Sequence, residues 1–317
     1  MFDPIKASKE IKDSYIDYIT TTFDMADTDY EREFRKELQT DGMVASGPFL
    51  DIGGSYETGH TLRELIQAQK ASVLFESLEP VAEKERELKL DRPLYQHQET
   101  AMLKAGKGEN LVITTGTGSG KTESFLLPII NHLLREQEAG TLSAGVRAII
   151  IYPMNALAND QMKRMRALFK NYPQICYGVY NGNTEHTQSK ALAEYHRTYH
   201  DETGEPTDPA PNEIISREVM QERPPHILIT NYSMLEYMML RPKDDAVFSG
   251  AKLKFIVLDE AHIYKGATGM ETSLLMRRLR ARISEPDSVQ YILTSATLGG
   301  PDADGDILSF AEKLCGV

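Results

Sequence analysis

Apolar and polar positions follow two regimes along the chain. Over residues 9–22, Ile11, Tyr15, Ile16, Tyr18 and Ile19 recur at mostly helical spacing, and Tyr30, Phe34 and Leu38 do so over residues 29–39. Gly42, Gly47-Pro48 and Gly53-Gly54 then break the chain into a loop-rich stretch anchored by Phe49, Leu50 and Ile52. Leu62, Leu65, Ile66, Val73, Leu74 and Leu78 predict a further amphipathic helix over residues 61–78, and the charged run 82–92 before Pro93 reads as a linker. Residues 1–92 are therefore expected to form a small helical appendage.

From Leu94 onward the pattern changes to short apolar strands alternating with helices. Strands are predicted at 111–114, 146–152, 175–180, 226–230, 254–258 and 290–294, and helices at 122–137, 156–170, 232–239, 270–283 and 304–314. Near-continuous Val/Ile/Leu strands with helices between them signal a parallel sheet covered on both faces. Residues 93–317 thus predict a doubly wound α/β domain. Residues 181–225 interrupt it with Gly204, Pro206, Pro209, Pro211 and Pro224-Pro225, which implies a functional insertion or a partly disordered segment.

Composition narrows the classes. With 41% hydrophobic and 26% charged residues over 317 positions, the chain is ordinary globular protein, not collagen-like or wholly disordered. Cys176 and Cys315 are too few for a disulfide scaffold or a four-ligand zinc site. No signal pattern opens the sequence and no apolar run approaches the roughly 18 residues of a membrane span. A reducing, cytoplasmic setting without membrane contact is expected.

A net charge of −12 argues at first against a nucleic-acid partner. The excess is uneven, because residues 1–92 hold 12 Lys+Arg against 20 Asp+Glu while residues 93–317 hold 23 against 27. Single-strand binding needs only local phosphate contacts. The global charge decides nothing.

The chemistry begins after strand 111–114, in Thr115-Gly116-Thr117-Gly118-Ser119-Gly120-Lys121-Thr122 followed by an apolar helix. Glycines let backbone N–H groups turn onto an anion, a helix N-terminus adds its dipole, Lys121 adds charge and the Thr122 hydroxyl can reach Mg²⁺. Thr115 occupies the first glycine position of the G-x-x-x-x-G-K-[ST] pattern, so the match is imperfect. Asp259-Glu260-Ala261-His262 follows strand 254–258, at the strand end where ligands sit in such sheets. One carboxylate can hold Mg²⁺ and the next can activate water, although Asp-Glu after a strand is also common loop chemistry. Strand 290–294 ends in Ser295-Ala296-Thr297, whose hydroxyls either report nucleotide state through His262 or cap the next turn.

These motifs in this order resemble the first RecA-like lobe of superfamily-two DExH/DEAH helicases, a P-loop NTPase fold, over residues 92–317. Gln98, 23 residues before Lys121, stands where that family's Q motif places the glutamine that reads adenine, which implies ATP as cofactor together with Mg²⁺. Tyr152-Pro153-Met154-Asn155-Ala156 resembles motif Ia, Thr230-Asn231 resembles motif Ib, and Val179-Tyr180-Asn181-Gly182 resembles the strand lip between them. Nucleic-acid contacts are accordingly expected at Pro153, Asn155, Ala156, Gly182, Thr230 and Asn231. Lys163, Arg164, Arg166 and Lys170 offer a basic edge beside motif Ia or an ordinary helix surface. His262 to Gly269 with Arg277-Arg278-Leu279-Arg280 resembles the DNA-repair and phage-defence branch that carries a cysteine-rich C-terminal module; the arginines are equally a solvated helix face.

The resemblance implies that Thr117, Gly118, Ser119, Gly120, Lys121 and Thr122 grip the phosphates. Thr122 and Asp259 place Mg²⁺, Glu260 polarises water, and His262, Ser295 and Thr297 couple nucleotide to strand. No room follows Thr297 for the second RecA-like lobe with its arginine finger, so the chain reads as the N-terminal part of a longer helicase, DNA being favoured over RNA as substrate. Competing readings are a duplex translocase that does not separate strands, and an ATP-gated assembly module whose acidic residues 1–92 dock a protein partner.

Overall fold

The computed structural model describes residues 3–23, 25–47, 49, 56–78, 88–116, 118–201, 203–283, 286–296 and 304–316. The chain forms two compact units, Met1–Ser55 and Tyr56–Val317. In the first, helix α1 (Pro4–Thr22) starts where the Asp3 carboxylate accepts from the N–H groups of Ile5 and Lys6, with Pro4 supplying the fixed φ of a first helical residue. Helix α2 (Thr28–Gln39) is capped the same way by Asp27. An Arg35–Asp17 ion pair ties the two helices together.

The boundary at residue 55 differs from the expected one at 92, and the reason is packing. Strand β1 (Thr58–Thr61) pairs antiparallel with β2 (Pro93–Tyr95). Leu62 and Leu65 of helix α3 (Leu62–Gln67), Phe75 and Leu78 of the 3-10 turn Val73–Leu78, and Leu90 join the main hydrophobic core. The expected single helix over 61–78 is broken into these two pieces, because Ser72 turns its N–H onto the Asn131 side chain at 2.8 Å and its hydroxyl onto Glu138 at 2.6 Å.

The rest of this unit alternates strand and helix as the hydrophobic pattern predicts. Helix α4 (Gln96–Gly106) leads to β3 (Leu111–Thr114), α5 (Lys121–Glu138), β4 (Ala148–Ile151), α6 (Asn155–Phe169) and β5 (Tyr177–Tyr180). Helices α7 (Gln188–Thr198) and α8 (Arg217–Glu222) precede β6 (Ile227–Thr230) and α9 (Tyr232–Leu240). Then come α10 (Asp245–Phe248), β7 (Phe255–Leu258), α11 (Gly266–Arg282), β8 (Gln290–Ser295) and α12 (Asp304–Cys315).

Strands β3 to β8 form one all-parallel sheet in the order β3-β8-β7-β4-β6-β5. Its residues alternate between two cores: Ile150 packs with Phe125, Ile129 and Met165 on one face, and Ile149 and Ile151 pack with Leu275, Met276 and Leu279 on the other. Parallel pairing brings Thr114, Ser295, Leu258, Ile151, Thr230 and Tyr180 to one edge of the sheet. The phosphate loop, the Asp259-Glu260 and Ser295 segments and the three strand-facing loops leave the sheet at that edge, in keeping with the general rule for ligand sites in open α/β sheets.

The insertion is folded over its described residues. Arg166 of α6 makes a bidentate ion pair with Glu213 at 2.8 and 2.7 Å and lies 4.3 Å from the ring centroid of Tyr199. The Asn212 side-chain amide donates to the carbonyl of Ile175 at 2.9 Å just before β5. Among the described residues no helix is long and apolar enough to cross a membrane.

At the opposite end of the sheet Arg147 is fully buried. Its Nε donates to Glu136 at 2.9 Å, Nη1 to the Gly145 carbonyl at 2.7 Å and Nη2 to Ser143 at 3.1 Å. Removing one partner of such a pair strands the other charge. Arg147→Met is expected to lower unfolding free energy by about 3–5 kcal/mol, read as a shift of the urea midpoint; an unchanged midpoint would show that the pair is not needed.

Candidate nucleotide site and its strand-facing loops

Between β3 and α5 the backbone turns through left-handed conformations at Gly118 (φ 75°) and Gly120 (φ 71°), which only glycine adopts cheaply. Gly120 caps α5, and a Cβ there would collide with the Gln98 amide and lie 2.9 Å from a Glu123 oxygen. The loop is braced from outside. Gln98 accepts from the Tyr95 N–H and donates to the Gly120 carbonyl, both at 3.0 Å, while His97 Nε2 donates to the Ser119 carbonyl at 3.0 Å. Burial holds the His97 imidazole below its ordinary pKa, while the bond to the Ser119 carbonyl and the nearby Glu123 carboxylate oppose that shift.

Thr115, the departure from the glycine pattern, is accommodated by a 2.7 Å hydroxyl bond to the buried Ser119. Gln98, expected at adenine, is itself 1% exposed and uses both ends of its amide on the protein. Next to it Tyr56, Tyr95 and His97 form an aromatic cluster with ring centroids 5.4 to 5.8 Å apart. The Tyr56 hydroxyl stands 2.9 Å from where a Cβ on Gly116 would lie. Thr117 lies outside the described residues.

Lys121 reaches across the sheet edge to Glu260, Nζ to Oε1 3.8 Å, and its buried ammonium has no hydrogen-bond partner among the described residues. Glu260 Oε2 is likewise buried without a hydrogen bond, although His262 Nδ1 lies 3.2 Å away. Orphaned polar atoms of opposite sign in one crevice are what a cradle for anionic phosphates and a hydrated cation presents, so the donor set fits Mg²⁺–ATP. Glu260 adopts a left-handed φ of 49°, a strain of about 1–3 kcal/mol for a non-glycine residue. Its N–H is held by Thr294 Oγ1 at 3.3 Å.

Thr294 also donates its hydroxyl to Asp259. Burial pushes the Asp259 carboxyl above its ordinary pKa, the Thr294 bond opposes this, Glu260 adds to it and Lys121 opposes it. His262 Nδ1 is 3.2 Å from the Ser295 hydroxyl, so the expected link between these motifs is present in the geometry. Thr297 lies outside the described residues. Thr294, one position before the hydroxyls chosen from sequence, is the residue that joins β8 to the carboxylates; its signal was only a third hydroxyl adjoining Ser295.

The strand-facing candidates are laced to one another. Asn231 Nδ2 donates to Asn155 Oδ1 at 2.8 Å, and Asn231 Oδ1 caps α9 by accepting from the Met234 N–H at 2.7 Å. Thr230 Oγ1 donates to the Tyr180 carbonyl at 2.7 Å. Arg217 of the insertion donates to the Asn181 carbonyl at 2.9 Å, fixing the lip on which Gly182 sits with open space on its side-chain side. Pro153 and the backbone of Ala156 lie at the entry and first turn of α6.

Two residues of the candidate basic edge are engaged within the protein. Arg166 is paired with Glu213 and Arg164 with Glu123, so these two guanidiniums serve the protein's own carboxylates. Arg278, Arg280 and Arg282 are paired with Glu236, Asp287 and Asp245.

Replacing Thr294 tests the carboxylate geometry. Thr294→Val removes the hydroxyl that serves both Asp259 and the Glu260 N–H and is expected to cost about 1–3 kcal/mol, seen as a lowered thermal midpoint. Thr294→Ser, which keeps the hydroxyl, is expected to lose less than half of that; a loss in Ser as large as in Val would show that the hydroxyl bonds are not the main contribution.

Comparison with known proteins follows the same lines. The family model for DEAD/DEAH box helicases matches residues 95–202 and 200–304. Druantia protein DruE of Escherichia coli is 34% identical over 98% of this chain, the match covering 21% of DruE. ATP-dependent helicase HRQ1 of Saccharomyces cerevisiae is 29% identical over 65% of this chain and 16% of its own length. The crystal structure of the DUF1998 helicase MrfA bound to DNA and AMPPNP superposes with a TM-score of 0.55 at 23% identity, covering 83% of this chain and 30% of MrfA. This chain thus spans about a fifth or less of the length of these two curated relatives. The matched motifs and the sheet that carries them establish that the chain belongs to the DEAD/DEAH box helicase family.

Proposed function

We propose that this chain is the ATP-binding lobe of a longer ATP-dependent DNA helicase. The observation that carries the reading is the crevice in which Lys121 faces Asp259 and Glu260, with the Lys121 ammonium and a Glu260 oxygen both buried and unsatisfied. Lys121 and the amides of Gly118 to Thr122 bind the phosphates. Thr122 and Asp259 hold Mg²⁺, which supplies charge neutralisation for phosphoryl transfer. Glu260 orients water and takes its proton, and His262 and Ser295 register whether Glu260 is engaged. Gln98 holds the loop through one bond at each end of its amide, and the second N–H and second oxygen lone pair are the groups with which it contacts adenine.

Asn155, Gly182, Thr230 and Asn231 form the strand-binding edge, with Pro153 and the Ala156 backbone setting the start of α6. DNA is preferred because MrfA, which shares the fold, was crystallised with DNA and AMPPNP. A second RecA-like lobe supplies the arginine finger, worth about 10³–10⁵ in rate.

In the full-length protein Lys121→Ala is expected to abolish nucleotide binding, and Glu260→Gln to keep binding while cutting DNA-stimulated ATP hydrolysis at least about 10²-fold. Hydrolysis at wild-type rate in either variant would refute the site. Residues 1–317 alone are expected to hydrolyse ATP weakly or not measurably; brisk DNA-stimulated turnover by this segment would refute the need for a second lobe.

A further inference from the structure

Glu123 occupies an electrostatically adverse place. It is the third residue of α5, and one of its oxygens lies 2.9 Å from where a Cβ on Gly120 would stand, so a carboxylate is set against the loop that is to receive phosphates. That oxygen, Oε2, is buried without a hydrogen-bond partner, and the other is bound by Arg164 of α6. Both side chains are about four-fifths covered (22% and 19% exposed), so their attraction is less screened than that of a surface pair. A guanidinium brought from a different helix thus cancels a charge that would repel the nucleotide.

Helix α6 is the element whose first turn holds Asn155, bonded to Asn231 of the neighbouring motif. Arg164 sits nine positions further along the same helix, about 13–14 Å at 1.5 Å per residue. A rigid helix therefore joins the strand-facing residues to the charge that neutralises Glu123. Tyr152 lies in the same gap, its hydroxyl buried without a partner and its phenol feeling both the Asp259 carboxylate and Arg164.

We propose that Glu123 and Arg164 are a positioning pair through which strand contact at α6 sets the affinity of the phosphate loop for nucleotide. Glu123 makes the loop intrinsically reluctant to take an anion, Arg164 relieves that reluctance, and any movement of α6 on binding a strand changes how completely it does so. This rests on the ATP and DNA reading above. Neither residue touches the reacting atoms.

The test measures affinity for a fluorescent ATP analogue with Mg²⁺ in the full-length protein, with and without a single-stranded oligothymidylate. Without DNA, Arg164→Gln is expected to weaken binding about tenfold, which is about 1.4 kcal/mol. Adding Glu123→Gln to it is expected to restore affinity to within about threefold of wild type. DNA is expected to change wild-type nucleotide affinity at least about fivefold and to change it less than twofold in both single variants and the double one. A double variant as weak as Arg164→Gln, or an Arg164→Gln protein whose response to DNA equals wild type, overturns the proposal. Restoration in the double variant also excludes misfolding as the cause. Failure of the underlying reading looks different: wild type would then bind the analogue no better than Lys121→Ala.

Discussion

The Lys121 ammonium and the Glu260 carboxylate meet across the end of a parallel sheet, and much of the molecule is arranged to hold them there. Lys121 is placed by a left-handed glycine at the N-terminus of α5, and Glu260 by its own left-handed backbone after β7. Neither conformation would persist on its own. Gln98 and His97 fasten the glycine loop, and Thr294 fastens the Glu260 N–H while bonding Asp259. Strand β8, which carries Thr294, lies between β3, which leads to Lys121, and β7, which leads to Glu260. A buried ammonium and carboxylate oxygen without hydrogen bonds among the described residues are costly in a folded protein, and their retention here fits a site for a charged ligand.

A second layer ties the strand-facing loops to this centre. The side-chain amides of Asn155 and Asn231 bond across β4 and β6, and Thr230 bonds back to Tyr180 on β5, so three loops behave as one edge. The insertion contributes by bracing that edge, through Arg217 on the Asn181 carbonyl and Glu213 on Arg166. Arg164 then connects the same helix to the phosphate loop. The candidate nucleotide site and the candidate strand-binding edge are thus linked through α6 by the Arg164–Glu123 pair.

The sheet was legible in the sequence because its central strands β4, β6 and β7 are fully buried and read as nearly uninterrupted apolar runs, and the phosphate loop because Gly-Lys-Thr after a strand has few other uses. The extent of the lobe was harder to read. Leu62, Leu65 and Phe75 have helical spacing that says they are buried without saying against what, and only the structure shows them in the core beneath α5. Long-range ion pairs were hidden for a related reason. Arg164 and Arg166 look like any basic helix face until Glu123 and Glu213, 41 and 47 residues away in sequence, are seen against them. Gln98 was located by its spacing, but its engagement with the loop depends on an α4 position that no local pattern encodes.

The most direct test of the central claim is a crystal structure of the protein with Mg²⁺ and a non-hydrolysable ATP analogue. The account predicts phosphate oxygens on the amides of Gly118 to Thr122, Lys121 Nζ drawn from Glu260 onto them, and Mg²⁺ between Thr122 and Asp259. Analogue bound elsewhere, with Lys121 still facing Glu260 across an empty loop, would contradict it.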